Sequence, residues 1–354
     1  WDIIDPSRVP AIESARDTYE QAKNIYLIQL RDIHINALSA YFSLQQSDEG
    51  VRIGEDSKKA SINSLNDAKA RFKEGIGTKF EVLEAETQLA RDERLLTQKL
   101  NEQSINQRSL AKILNLPSNI SPITDSSIEI IGVWNQSLEE SIIAAYSFRK
   151  ELENLLLDIS INNSNANIAL ASSQPKLSIF NSLDKTYYED IVSKNDPDQD
   201  YNSIDYSVGL RANWRIFDGW ESRSRYKYNK QIAKIAKVRF ENEKNKIREE
   251  IETDFFQLKS AFTSIQSSNN EIIAAKESLR LARLRFNAGI TTQREVVNTQ
   301  RDLTQAEVGY VEAISSYNIS ISKLSQKTGI NYGKICDYTK IINNKNKKND
   351  SKNS

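Results

Sequence analysis

One histidine, His34, and one cysteine, Cys336, are the whole supply of the two side chains that most often do chemistry near neutral pH. His34 lies in a helical stretch, and nothing nearby completes the roughly three or four ligands that zinc needs. A lone thiol forms neither an internal disulfide nor a Cys-based zinc site. The sequence holds no Ser-His-Asp or Cys-His arrangement, no phosphate-cradling glycine loop and no metal-ligand cluster. It therefore points to no cofactor and to no enzyme mechanism. Two acids remain of interest, Glu81 and Glu295. Each stands just after a glycine turn at the start of a helical run, where the helix dipole by itself favours a carboxylate.

The elements behind these residues are long. The chain has 354 residues but only 6 Pro and 11 Gly. No proline lies between Ala11 and Leu116, and none follows Pro197, which leaves two very long helix-permissive stretches. A hydrophobic fraction of 38% with 27% charged residues suits narrow-cored, solvent-exposed helices better than thick globular cores. Formal net charge is zero, which removes the electrostatic case for nucleic acid as a partner. No run of roughly 18 apolar residues marks a transmembrane helix. A β-barrel stays open, because its strands signal far more weakly. With no signal peptide and no methionine, not even at residue 1, the natural N-terminal region is expected to be missing.

One pattern is written twice. Arg71–Ala90 and Arg285–Thr304 share 8 of 20 positions without a gap. Upstream, Trp1–Asp5 parallels Trp214–Asp218, and the distance from Trp to the Arg-Phe-x-x-Gly turn is 70 residues in one copy and 71 in the other. Each copy reads as a long helix, a tight turn and a return helix. Tyr26, Leu30, Ile33, Ala37, Tyr41 and Leu44 form one narrow apolar stripe. Ile247, Ile251, Phe255, Leu258, Phe262 and Ile265 form its counterpart, and Tyr310, Ile314, Tyr317, Ile321 and Leu324 mark a return helix. Such stripes belong to coiled coils. From Ser7 to Phe72 a helix would run about 100 Å, so it must pack sideways against equally long neighbours.

Between the copies the period changes. In Ser203–Phe217 the even positions are Ile204, Tyr206, Val208, Leu210, Ala212, Trp214 and Ile216, and the odd ones are polar or small. That alternation is a strand. Gln174–Tyr188 is a weaker partner, with Leu177, Ile179, Leu183 and Tyr187 on one face. The strand length, the aromatics near its ends and the polar loop 189–202 favour a membrane barrel strand over a soluble sheet. The tail from Lys340 is Lys/Asn-rich and expected to be disordered.

Two helical hairpins bracketing a β-hairpin, Phe217-Asp218-Gly219 at the strand-to-helix junction and the two Arg-Phe-x-x-Gly-Ile turns resemble the TolC-type outer-membrane efflux proteins. The resemblance covers the chain up to about residue 327. It implies a mainly α fold, in which long antiparallel coiled-coil hairpins form an α-helical barrel below a trimeric transmembrane β-barrel. On that frame, 1–5 ends a truncated strand, 6–114 is the first helical hairpin, and 115–136 an equatorial connection. Residues 137–172 are a helix, 173–218 the membrane β-hairpin, 219–328 the second helical hairpin, and 329–354 an equatorial or disordered tail. The implied function is a passive outer-membrane duct of a tripartite efflux or type I secretion system. The implied partners are two further copies of the chain, a periplasmic adaptor, an inner-membrane transporter and outer-membrane lipid.

The resemblance also assigns residues. The turns would lie at the periplasmic tips, where Arg71, Gly75, Ile76, Arg285, Gly289 and Ile290 would dock the adaptor. Gly75 and Gly289 are in any case suited to left-handed turn geometry. Glu81 and Glu295 would ring the entrance, where close carboxylates repel, raise one another's pKa and bind cations. The family's second entrance acid falls on Asn298 and its entrance arginine on Thr291; Lys79 and Arg294 are candidate substitutes for the arginine. The competing readings are a periplasmic coiled-coil adaptor, which would carry one hairpin in a Gly-rich β domain, and a soluble scaffold, which would not need the alternating strand.

Overall fold

The computed structural model describes residues 1–124, 127–188 and 201–332. Cys336, the tail from Lys340 and most of the polar loop 189–202 lie outside them. The elements are β1 (Asp2–Ile4), α1 (Arg8–Lys73), α2 (Lys79–Ile113), α3 (Leu138–Phe148), α4 (Lys150–Ala171), β2 (Lys176–Tyr188), β3 (Tyr201–Asn213), α5 (Glu221–Asn287) and α6 (Gln293–Thr328). The fold is mainly α with a β-hairpin between two long helical hairpins. No helix among the described residues is long and apolar enough to cross a membrane.

The chain divides into two compact units. The first holds Trp1–Leu27 and Lys150–Asn245. Its sheet has the order β1-β2-β3, all antiparallel. Leu183 faces Tyr206 and Ile179 faces Leu210. Residues directly opposite one another project to the same side, so this register puts the apolar sets of both strands on one face. That face is exposed at Leu183, Ile204, Tyr206, Val208 and Leu210. The other face carries a Ser182–Ser207 hydroxyl pair and Arg211 over the ring of Phe180. Strand β3 stops at Asn213, although the alternation runs on to Phe217. The next partner of Trp214 would be Pro175, which has no N–H to continue the ladder, and the Trp214 indole donates instead to the Ser173 carbonyl at 3.2 Å. Polar contacts join the helices of this unit. Gln21 donates to Asp158 at 2.6 Å, and Lys230 donates to Asn163 at 2.8 Å.

The second unit holds Ile28–Arg149 and the residues from Lys246 on. Helix α6 packs against α2 and α3 and buries Ile314, Tyr317, Ile321 and Leu324. Fully buried Asn318 pins the connection 115–136. Its amide donates to the Glu129 carbonyl at 2.7 Å, and its oxygen accepts from the Ile131 N–H at 3.1 Å. The duplication reappears as packing. Leu65, Ala68 and Val82 make one buried cluster with Leu89 against it, and Leu279, Ala282 and Val296 make the other with Leu303.

Two expectations need correction. Residues 137–172 are not one helix, because Arg149 is extended (φ −73°, ψ 114°) and separates α3 from α4. Its buried guanidinium leaves the helical path to donate to Glu250 at 2.9 Å. The first-copy stripe is only half a core. Leu44 is buried, but Tyr26, Leu30 and Ile33 are exposed. A coiled-coil seam needs a facing helix, and no helix of the described residues covers these three side chains.

Candidate functional site at the hairpin turns

The two turns are built alike. Each helix ends in a Schellman motif, in which the backbone N–H groups after the last turn fold back onto its free carbonyls. In the first, the Gly75 and Ile76 N–H groups bond to the carbonyls of Phe72 and Arg71, both at 3.1 Å; in the second, Gly289 and Ile290 bond to Phe286 at 2.9 Å and Arg285 at 2.8 Å. Gly75 (φ 75°) and Gly289 (φ 71°) are left-handed, which costs a residue with a Cβ about 1–2 kcal/mol. Ile76 and Ile290 stand exposed at the two turns.

The return helices start differently. Thr78 and Glu81 form a reciprocal capping box: Thr78 N–H donates to the Glu81 carboxylate at 2.9 Å, and Glu81 N–H to the Thr78 hydroxyl at 3.3 Å. This satisfies two donors that a helix start leaves free. Thr292 makes no such cap. There the Glu295 carboxylate accepts from the Thr291 hydroxyl and, at 3.1 Å, from Arg285. Glu295 and Thr291 are thus brought together, and Glu81 serves its own helix start. Asn298 is exposed.

Arg71 and Arg294, expected at the tip and the entrance, tie the two hairpins together through partners that sequence reasoning passed over. The Arg71 guanidinium lies over the Phe286 ring, 4.6 Å from its centroid. Arg294 donates to Glu84 at 2.8 Å and lies over Phe80 at 5.4 Å, and Gln293 donates to Ser64. Arg294 therefore bridges α6 to α2. Gly77 is crowded as well: a Cβ there would come within 3.0 Å of Arg71, Phe72 and the Glu81 carboxylate. A cavity of about 380 Å³ lies behind the turns, lined by Ser61, Ser64, Gln88, Phe286, Gln293 and Gln300 among others. The one signal that could have found Phe286 is the duplication, since it repeats Phe72.

At the other end of the hairpins the repeated Asp of the Trp1–Asp5 and Trp214–Asp218 segments does the same task twice. Asp5 accepts from the Ser7 N–H and hydroxyl, and Asp218 from those of Ser222. The Ser7 hydroxyl, then its N–H, hold the Asp5 pKa down to about 2, with Lys176 helping. The Ser222 hydroxyl and N–H lower that of Asp218.

Comparison with known proteins follows this architecture. Residues 1–116 and 145–329 match the family described as Outer membrane efflux protein. The chain is 21% identical over 323 residues to the outer membrane protein TolC of Vibrio cholerae, covering 90% of this chain and 72% of that protein. Among solved structures, the outer-membrane channel OprN superposes with a TM-score of 0.78 at 18% identity, over 93% of this chain and 73% of OprN. The outer membrane protein VceC of Vibrio cholerae does so with a TM-score of 0.74 at 15% identity, over 94% of this chain and 78% of VceC. At such identities the superpositions establish a shared fold.

Proposed function

The chain belongs to the outer membrane efflux protein family, and on that premise we propose that it is the outer-membrane duct of an efflux assembly, a passive conduit that performs no chemistry on its cargo. The observation that carries this reading is the exposed apolar face of β2 and β3. In lipid every backbone polar group needs a partner, so a hairpin can span only as part of a closed barrel. One hairpin and a short third strand cannot close, and three copies side by side supply the missing strands. The exposed stripe of α1 argues the same way, since it too lacks a facing helix. A periplasmic adaptor or a soluble scaffold leaves the apolar strand face without a purpose.

The finer assignments rest on the turns. Exposed Ile76 and Ile290, each beside a left-handed glycine and an arginine, offer a bare, apolar tip to a periplasmic adaptor, which links the duct to an inner-membrane transporter. Glu81 and Glu295, with Thr291 and Asn298, line the entrance. The test is direct. The full-length gene product should need detergent for extraction, run as a trimer and give discrete conductance steps in planar bilayers. A detergent-independent monomer that leaves bilayers silent overturns the reading.

A further inference from the structure

The two copies of the repeat hold the same arginine in two different arrangements. Arg71 reaches across to the other hairpin and lies over Phe286. Its counterpart Arg285 stays on its own hairpin and pairs with Glu295. Likewise Phe286 is 6% exposed under Arg71, whereas its counterpart Phe72 is 47% exposed. The local sequence is the same Arg-Phe in both, so what lies alongside makes the difference. Copy 1 has copy 2 next to it, and copy 2 has none of the described residues on its far side.

The same asymmetry recurs along the helices. Ile314 of α6 is 2% exposed and its α2 counterpart Leu100 is 44% exposed; Phe42 of α1 is 4% exposed and its α5 counterpart Phe256 is 56% exposed. Within the chain α6 meets α1, with Ser57 and Thr304 hydroxyls 3.2 Å apart and Ser315 donating to the Phe42 carbonyl. The surfaces left open are the counterparts of that interface, α2 on one side and α5 on the other. By the repeat they stand to each other as α6 stands to α1, so a second copy of this chain is the occupant that extends the pattern. Such a head-to-tail contact, repeated through a rotation that closes, makes a ring.

We infer that in the assembled protein Arg285 leaves Glu295 and stacks on Phe72 of the neighbouring copy, as Arg71 already stacks on Phe286. Assembly thereby releases the Glu295 carboxylate from its arginine. The inference rests on the side-by-side assembly proposed above and adds a contact and a charge state to it. Glu295 is then without an arginine partner, as Glu81 is among the described residues.

Two measurements on the detergent-purified full-length protein test this. With p-benzoylphenylalanine in place of Phe72 and a mixture of isotope-labelled and unlabelled chains, irradiation should join different chains, at peptides around Arg285. A disulfide pair calibrates the geometry in a Cys336→Ser background. Ser57→Cys with Thr304→Cys should bridge within a chain, and the counterpart pair Glu271→Cys with Ala90→Cys should bridge between chains. The second measurement is block of bilayer conductance by multivalent cations. Phe72→Leu should return Arg285 to Glu295 and weaken block by about two- to five-fold, the scale of an exposed cation–π contact. Adding Arg285→Gln should restore it, because Glu295 is then free again. An oligomer whose crosslinks fall elsewhere, or in which the second substitution weakens block further, overturns the contact alone. A monomer overturns the assembly and the contact together.

Discussion

Glu81 and Glu295 show how one residue type at matching positions acquires two settings. Glu81 closes a capping box, and Glu295 takes a threonine hydroxyl and an arginine. Glutamine keeps the volume of both and the capping ability of Glu81. Replacing both with Gln should therefore change stability by only about 0.3–1 kcal/mol, while removing charge from the proposed entrance, where a narrow pore with low-dielectric walls would focus it. Reversal potentials in asymmetric salt should show reduced cation selectivity, and multivalent cations should block less. Wild-type selectivity in the double variant would leave both acids as helix-start residues alone. At the opposite end, Asp5 titrates near 2 when folded against an ordinary value of 3.8. A depressed carboxyl stabilises the fold fully above its unfolded pKa and loses that contribution as pH falls through the folded one. Melting temperature followed from pH 5 to pH 2 should drop over this window, and Asp5→Asn should flatten that part of the curve.

At the scale of elements, the β-hairpin is the sharpest case. Leu210 lies on the exposed apolar face, and Leu210→Arg should cost about 2–4 kcal/mol if the residue sits near the bilayer midplane. Urea titration of the lipid-embedded protein measures it. Neighbouring Gly209, on the opposite face, is not a mild control: it lies opposite Phe180, and a Cβ there would come within 3.0 Å of the ring. Ser207→Arg, exposed on the same face opposite Ser182, is the control that should cost little. The break between α3 and α4 carries the other prediction. Arg149 is buried and bonded to Glu250, which also lies 3.7 Å from Lys327. Burial pushes the Glu250 pKa up, but Arg149 and the lysines hold it below its usual range. Arg149→Met strips the main partner from a half-buried carboxylate and should destabilise by about 3 kcal/mol. The denaturant midpoint is the readout.

At the scale of the whole molecule, burial separates what holds the chain together from what joins it to others. Ile314→Glu puts an unpaired charge into the packed face of α6 and should lower both helix content and melting temperature. Leu100→Glu, its counterpart on open α2, should leave circular dichroism unchanged and dissociate the oligomer on native gels. Equal loss of fold in both would deny that α2 faces another copy.

The family, the mainly α architecture and the order of hairpins were legible in the residues themselves. Turn glycines, proline placement and the periods of 3.5 and 2 are local properties, and a gap-free repeat carries its own register. Glu81 and Glu295 were legible as first-turn acids for the same reason, since the helix dipole is local; that Thr78 caps its helix and Thr292 does not was not. Which copy buries its stripe was not legible, because Ile33 and Ile247 are the same residue in the same pattern. Only packing decides that one is exposed and the other buried. Nor could the pattern place Arg149 as a break, Phe180 over Gly209 or Arg71 on Phe286. Each of these depends on a side chain brought from far along the sequence, and periodicity holds no information about what arrives from a distance.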